Sequence, residues 1–100
     1  MNEIKYLQFS LSPLDNRKYR AYVELNNGEI LTIDFGDSRY EHYRTSRKIP
    51  KHLHIYKEHH NLTRRNNYLT RATAIKNKKG ELTYSNPRYA NFYSVNYLWK

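Results

Sequence analysis

Two runs of alternating apolar and polar residues, separated by a short polar stretch, constrain the fold of this chain more than any other feature of its sequence. The first run, KYRAYVEL, covers residues 18–25, and the second, EILTIDF, covers residues 29–35. Apolar side chains at every second position are typical of a strand that buries one face. The intervening Asn26-Asn27-Gly28 therefore predicts an antiparallel β-hairpin.

The length of the hairpin loop decides which residues of the two strands face each other. A two-residue turn would place the apolar side chains of the second strand opposite polar positions of the first. A three-residue loop over 26–28 makes the apolar face continuous, and it needs a left-handed residue in third place, where Gly28 stands. We therefore predict the three-residue loop, with the partners Leu25–Glu29, Val23–Leu31, Ala21–Ile33 and Tyr19–Phe35.

An N-terminal strand and a main helix extend this hairpin into an α+β fold. Residues 4–11 alternate like the hairpin strands and predict a third strand of one small antiparallel sheet. Residues 61–75 predict an amphipathic helix with Asn61 as its N-cap and a basic outer face. The apolar stripe expected on this helix consists of Leu62, Tyr68, Leu69, Ala72 and Ile75.

The C-terminal third predicts a turn followed by a second, shorter helix. Gly80 suits a left-handed position after the main helix, and residues 81–84 could form a short strand. The pair Asn86-Pro87 is typical of a helix start, so we predict a short helix near 87–98. We expect Trp99 to bring the end of the chain back onto the core.

Composition limits the possible functions. The chain has 100 residues, and 18 lysines and arginines face 9 acids, which gives a net charge of +9 and favours an anionic partner. No cysteine is present, so disulfides and cysteine-based zinc sites are excluded. No apolar run approaches the roughly 18 residues of a membrane span, and the start lacks a signal-peptide core. We expect one soluble, intracellular domain over residues 1–100, without membrane insertion.

The acidic residues and the histidines can each be interpreted as structural groups or as catalytic or metal-binding groups. His52 and His54 would share one face of a strand and could chelate a metal, but surface histidines are the simpler interpretation. Asp34, Asp37 and Glu41 could act in general acid–base catalysis, or could form local ion pairs and caps. No phosphate loop and no nucleophile motif occurs. We therefore predict a non-enzymatic protein without metal, cofactor, catalytic residue or small-molecule substrate.

A compact patch of rings and charges follows the second hairpin strand. Gly36 lets the chain turn sharply, Asp37 and Ser38 can cap the turn, and Arg39 and Arg44 would then lie on a rigid corner. The rest of residues 37–60 shows no clear periodicity.

Cations interleaved with tyrosines could serve binding or packing. Arginine grips phosphates and carboxylates bidentately, and tyrosine can stack on bases. Alternatively, Tyr40, Tyr43 and Tyr68 fill the core, and the arginines are solvated or paired with acids of the same chain. Both can hold if a buried ring directs its arginine neighbour outward. The predicted binding residues are Arg39, Arg44, Arg47, Lys48, Arg64, Arg65, Arg71 and Lys76.

Several of these residues lie in an ordered series of motifs over residues 17–100. The series is FGDSRY with Tyr43, then RR-x-x-Y-x-x-R from Arg64, NKKG from Asn77, and a terminal Leu98-Trp99. It resembles a family of short basic proteins encoded by large nucleocytoplasmic double-stranded DNA viruses. Residues 45–58 depart from the family pattern.

The family has no established catalytic activity, so the resemblance implies a viral origin and not a mechanism. It implies a virion component, located in the virion and, during assembly, in the viral factory of the host cytoplasm. The expected function is that of a minor capsid or internal virion protein, with other viral capsid proteins or packaged DNA as partners. The alternative is a viral nucleic-acid-binding protein acting in replication, transcription or host control.

Overall fold

Three antiparallel strands and two helices make up the described part of the chain, residues 3–100, in the computed structural model. The strands are β1 (Ile4–Leu11), β2 (Arg17–Leu25) and β3 (Ile30–Asp37). The helices are α1 (Leu62–Ala72) and α2 (Ala90–Leu98), and 3-10 turns cover Lys51–Leu53 and Thr83–Ser85. The sheet has the order β1-β2-β3. The predicted α+β fold is therefore confirmed.

The hairpin between β2 and β3 has the predicted register. Tyr19 pairs with Phe35, and the three-residue loop closes where the Leu25 amide donates to the Glu29 carbonyl oxygen at 2.9 Å. Gly28 has a φ of +88°, a conformation that side chains rarely adopt. The period of two and one glycine were thus enough to fix which residues share the buried face.

Helix α1 begins where the sequence predicts and ends three residues early. The side chain of Asn61 accepts a hydrogen bond from the Arg64 amide at 3.0 Å, as an N-cap does. After Ala72 the chain leaves the helix, because the Ile75 carbonyl oxygen accepts from the Thr83 amide at 3.0 Å. That pairing with the returning chain replaces the last helical turn.

The segment before α2 differs from the prediction. Residues 81–84 form no strand: a single bridge joins Lys76 to Leu82, and a 3-10 turn follows. Helix α2 begins at Ala90 and not at residue 87, because the Asn86 side chain accepts from the Arg88 amide at 3.0 Å and closes a turn there instead.

The core lies between the inner face of the sheet and α2. Tyr93 and Tyr97 of α2 contact Phe35 and Phe9, with ring centroids 5.7 and 5.0 Å apart. Two buried tyrosine hydroxyls have acceptors: Tyr93 donates to the Pro87 carbonyl oxygen at 2.6 Å and Tyr19 to that of Leu53 at 2.7 Å. The core cluster consists of Phe9, Tyr19, Ala21, Val23, Leu25, Phe35, Ile49, Leu53, Tyr93, Tyr97 and Leu98.

The predicted apolar stripe of α1 is wrong at its two ends. Leu62 and Ile75 are 61% and 51% exposed, whereas Ala72 is buried and Tyr68 and Leu69 are half-buried. The helix contacts the rest of the protein mainly through its middle and its C-terminal half. No helix within residues 3–100 is long and apolar enough to cross a membrane.

Candidate functional site

Hydrogen bonds hold the corner after β3 in place, but the corner does not present a free arginine. Gly36 has a φ of +80°, and the Asp37 carboxylate accepts from the Arg39 amide at 3.0 Å. The same carboxylate binds the Arg39 guanidinium at 2.8 and 3.1 Å, and this pairing lowers the pKa of Asp37 to about 2. Arg39 is exposed, but an acid of its own chain already neutralises its charge.

Arg64 is neutralised in the same way. Its guanidinium lies 3.3 Å from a Glu41 carboxylate oxygen, and both side chains are substantially exposed. Exposed pairs of this kind contribute about 0–1 kcal/mol. An incoming anion would therefore have to compete with Glu41 for Arg64 and with Asp37 for Arg39.

Arg44 and Arg65 meet on the ring of Tyr43, away from the acidic side chains of the described residues. Their guanidinium carbons lie 5.9 and 5.3 Å from the ring centroid. Arg44 also donates to the main-chain oxygen of Lys100 at 3.1 Å, and Arg65 to that of Trp99 at 3.0 Å. No acidic side chain of residues 3–100 lies within 4.0 Å of either guanidinium. We call these three residues the Tyr43 cluster.

The loop that continues from the Tyr43 cluster carries two more cations. The backbone of residues 44–46 runs beside the end of α2, to whose main-chain oxygens two of its amides donate at 3.0 and 2.8 Å. Ile49 is fully buried and anchors the loop. Arg47 and Lys48 lie between these anchors, are exposed, and form no ion pair within the described chain. The loop is therefore fixed at both ends while its charges face water.

The last two predicted binding residues lie apart from this cluster. Arg71 lines a cleft beside α1, whereas Lys76 follows the end of α1 and is exposed. Helix α1 has 11 residues, which corresponds to a length of about 16 Å, and Arg65 lies in its first half. The structure brings Arg44, Arg65 and the loop cations together and leaves Lys76 at the far end of α1.

The tyrosines predicted to fill the core do so only in part. Tyr40 is 62% exposed, with the Arg39 guanidinium 5.3 Å from its ring centroid. Tyr43 and Tyr68 are half-buried, and Tyr68 stacks on Trp99 with centroids 4.0 Å apart and planes 9° apart. The core assignment is thus wrong for Tyr40. The expected docking of Trp99 is present in this stack.

The sequence interpretation missed a buried lysine. Lys18 is 2% exposed, and its Nζ lies 2.8 Å from Nδ1 of His42, which is 1% exposed. His42 Nε2 lies 2.7 Å from the Thr45 hydroxyl. The confirmed hairpin register contains a signal for this, because it puts Lys18 opposite Gly36, where the missing side chain leaves room for other segments to cover the lysine.

Burial shifts both members of this pair toward their neutral forms. Desolvation lowers the pKa of Lys18 to about 8, although the charges of Asp37 and Glu41 act in the opposite direction. Desolvation, assisted by the Lys18 charge, lowers the pKa of His42 to about 4. At neutral pH His42 is therefore neutral, and we assign Nδ1 as the acceptor from Lys18 and Nε2 as the donor to Thr45.

Lys18 and His42 lie in a cleft of about 900 Å³ beside the β3 corner, α1 and the end of α2. Its charged or titratable lining residues are Lys18, Asp37, Tyr40, Glu41, His42, Arg64, Tyr68 and Arg71. No group of three potential metal ligands occurs in the described residues. His54 instead bonds to the Ile49 carbonyl oxygen at 2.8 Å, and His52 is exposed.

Comparisons with known proteins do not place this chain in a family. No protein-family model matches it. No curated protein is significantly similar to it. No solved structure is significantly similar to it. Its function is therefore inferred from its own residues and from the motif series in its sequence.

Proposed function

We propose that this protein is a non-enzymatic viral structural protein, a minor capsid or internal virion component. It makes electrostatic contacts with acidic capsid partners or packaged DNA, in the virion and in the viral factory of the host cytoplasm. The motif series supports the viral part of this proposal. The arrangement of cations supports the contact with an anion.

The observation that carries the proposal is the Tyr43 cluster. Two guanidinium groups share one ring, each is held by a main-chain oxygen, and neither faces an acidic side chain of residues 3–100. A guanidinium fork binds phosphate or carboxylate with two parallel hydrogen bonds. Because these side chains are already held in place, little side-chain conformational entropy is lost when an anion binds.

Binding must draw on several such contacts, since a single exposed ion pair contributes about 0–1 kcal/mol. The Tyr43 cluster and its loop offer four cations that form no ion pair with an acidic side chain of residues 3–100: Arg44, Arg47, Lys48 and Arg65. If all four bind phosphates of duplex DNA, log affinity should fall with log salt at a slope of about −3 to −4. Affinity would then fall roughly 100-fold between 50 and 200 mM salt.

The test measures binding of the full chain to duplex DNA and to polyglutamate over that salt range. Steep salt dependence with DNA supports packaged DNA as the partner. Binding to polyglutamate, together with weak DNA binding, supports an acidic capsid partner. Failure to bind either polymer at 50 mM salt would contradict an anionic contact surface.

Mass spectrometry of purified virus particles tests the structural role separately. A minor capsid or internal component should be present in many copies per particle. Absence from the particle, together with DNA binding in solution, would move the assignment to the second candidate.

That second candidate is a viral nucleic-acid-binding protein acting in replication, transcription or host control. Tyr40 favours it, because its ring is 62% exposed beside the Arg39 guanidinium and is free to stack on an unpaired base. Stacking contributes about 1–3 kcal/mol per base. Under this candidate Tyr40→Ala weakens binding to single-stranded DNA roughly 5- to 150-fold and leaves polyglutamate binding unchanged.

A further inference from the structure

We propose that the cleft is a carbonyl-binding site in which the Lys18 amine forms a Schiff base with an aldehyde-bearing ligand. Lys18 is 2% exposed and lines a cleft of about 900 Å³, which lies in the usual size range for small-molecule sites. This inference goes beyond the proposed function and does not depend on it, since the Tyr43 cluster is a different set of residues.

The surroundings of Lys18 are unusual for a lysine with only a structural role. Buried lysines almost always have a charged partner. No carboxylate of the described residues lies within 4.0 Å of Lys18 Nζ, and its one hydrogen-bond partner there is the neutral His42 ring. An ammonium group has three donors, so two of them have no hydrogen-bond partner among the described residues.

His42 is fixed as an acceptor toward this amine. Its Nε2 is occupied by the Thr45 hydroxyl at 2.7 Å, and its carbonyl oxygen accepts from the His59 amide at 2.9 Å. Nδ1 therefore presents a lone pair to Lys18. A carboxylate in this place would hold the lysine protonated. An imidazole acceptor engages only one N–H of the amine. When the amine is neutral, its lone pair therefore points away from His42.

The other groups around the amine allow a neutral fraction near physiological pH. Asp37 and Glu41 favour the charged amine, but each is engaged by an arginine, and burial outweighs them. The Tyr56 ring lies 5.5 Å from Nζ. With a pKa of about 8, roughly a tenth of Lys18 is neutral at pH 7, compared with less than one in a thousand for an ordinary exposed lysine.

The reaction needs no co-reactant. The neutral amine attacks the carbonyl carbon, a C–N bond forms, and the carbonyl π electrons move to oxygen, which takes a proton from nitrogen. The second N–H proton then moves to this oxygen, the C–O bond breaks, and water leaves as the C=N bond forms. Tyr68 and Trp99, which stack on each other, line the cleft and contribute apolar surface for an aromatic aldehyde.

Pyridoxal 5′-phosphate, an aromatic aldehyde, is a suitable probe. The full chain is mixed with it at less than one equivalent at pH 7, reduced with borohydride, digested and analysed by mass spectrometry. We expect Lys18 to be modified at least tenfold faster than the exposed Lys78, with a rate that rises to a midpoint near pH 8. Modification of Lys18 no faster than Lys78 in the unaltered protein overturns the proposal.

Two variants test whether the imine absorbance arises at Lys18. Lys18→Arg should remove most of the imine absorbance near pH 8, while the matched exposed variant Lys78→Arg should leave it nearly unchanged. Both are checked for folding by circular dichroism. If Lys18→Arg is unfolded, the site-resolved rates in the unaltered protein still decide the question, because they need no variant. Undiminished imine absorbance in a folded Lys18→Arg protein would also overturn the proposal.

Discussion

Gly36 lies where β3 turns beneath the end of α2, and it leaves no room for a side chain. A Cβ atom there would come within 2.9 Å of Leu98 Cδ1 and 3.2 Å of Lys18 Cβ. Its φ of +80° adds backbone strain for any other residue. This one position therefore couples the end of the sheet, the terminal helix and the buried lysine.

Gly36→Ala should lower the free energy of unfolding by about 2–4 kcal/mol, from left-handed strain together with overpacking. Gly28→Ala is a matched control, since Gly28 has a φ of +88° but nothing within 4 Å of an added Cβ. That control should lose about 1–2 kcal/mol from strain alone. Urea denaturation measures both, and equal losses would contradict the close approach seen at Gly36.

Lys18 makes stability rise with pH in the alkaline range. Its pKa is lowered to about 8 in the folded protein, so between pH 8 and 10 the unfolded chain binds more protons than the folded one. The free energy of unfolding should increase by about 2 kcal/mol across this window. Above pH 10 the trend reverses, because burial raises the pKa of Tyr19 to about 12.

Urea denaturation at pH 7, 8, 9 and 10 measures this dependence. Lys18→Met should remove the rise, because methionine keeps the volume and has no titrating group. A Lys18→Met protein with the same rise as the original would mean that other groups produce it.

At the scale of elements, α1 depends on contacts with the end of the chain. Trp99 stacks on Tyr68 at 4.0 Å, and its main-chain oxygen accepts from Arg65. Trp99→Ala removes the stack but keeps the main-chain acceptor. Since the ring is half-buried, we expect a loss of about 2 kcal/mol in unfolding free energy.

Hydrogen exchange provides the local measurement for Trp99→Ala. Amide protection should fall more in α1 than in β2, because the stack joins α1 to the terminal segment. Tyr40→Ala, at an exposed ring, should change unfolding free energy by less than about 0.5 kcal/mol. Unchanged protection in α1 would show that this helix is held by other contacts.

The elements with a strict local rule were predictable from the sequence. The hairpin register followed from the period of two and from Gly28, and the start of α1 followed from Asn61. Helix ends were not predictable, because the end of α1 is decided by the pairing of Ile75 with Thr83, eight residues away. The exposure of Leu62 likewise depends on which elements pack against α1, and local periodicity contains no such information.

The candidate site was less predictable, because its residues are assembled by segment 37–60. That segment has little regular structure and is held by isolated contacts such as the bridge from His42 to Glu58. The sequence shows which cations occur but not which acids they pair with. Arg39 and Arg64 were therefore predicted as binding residues in the same way as Arg44. The burial of Lys18 depends on the same segment: the hairpin register puts Lys18 opposite Gly36, but no periodic pattern indicates that segment 37–60 covers it.

For the whole molecule, the arrangement of charge matters more than its sum. The net charge is +9, but two of the predicted binding cations, Arg39 and Arg64, are paired within the chain. Arg44 and Arg65, which face no acidic side chain within the part of the chain that the structure describes, share one ring, with Arg47 and Lys48 on the adjoining anchored loop. This fixed group of cations is what a specific electrostatic contact requires, in contrast to charges spread evenly over a surface.

The measurement that tests this account most directly compares two variants of equal net charge in DNA binding. Arg44→Gln with Arg65→Gln removes the guanidinium groups of the Tyr43 cluster, and Lys78→Gln with Lys79→Gln removes two exposed charges beyond α1. The first should reduce affinity about tenfold and the salt slope by about 2, while the second should change both far less. Equal losses in two folded variants would contradict the account, because net charge alone would then explain binding.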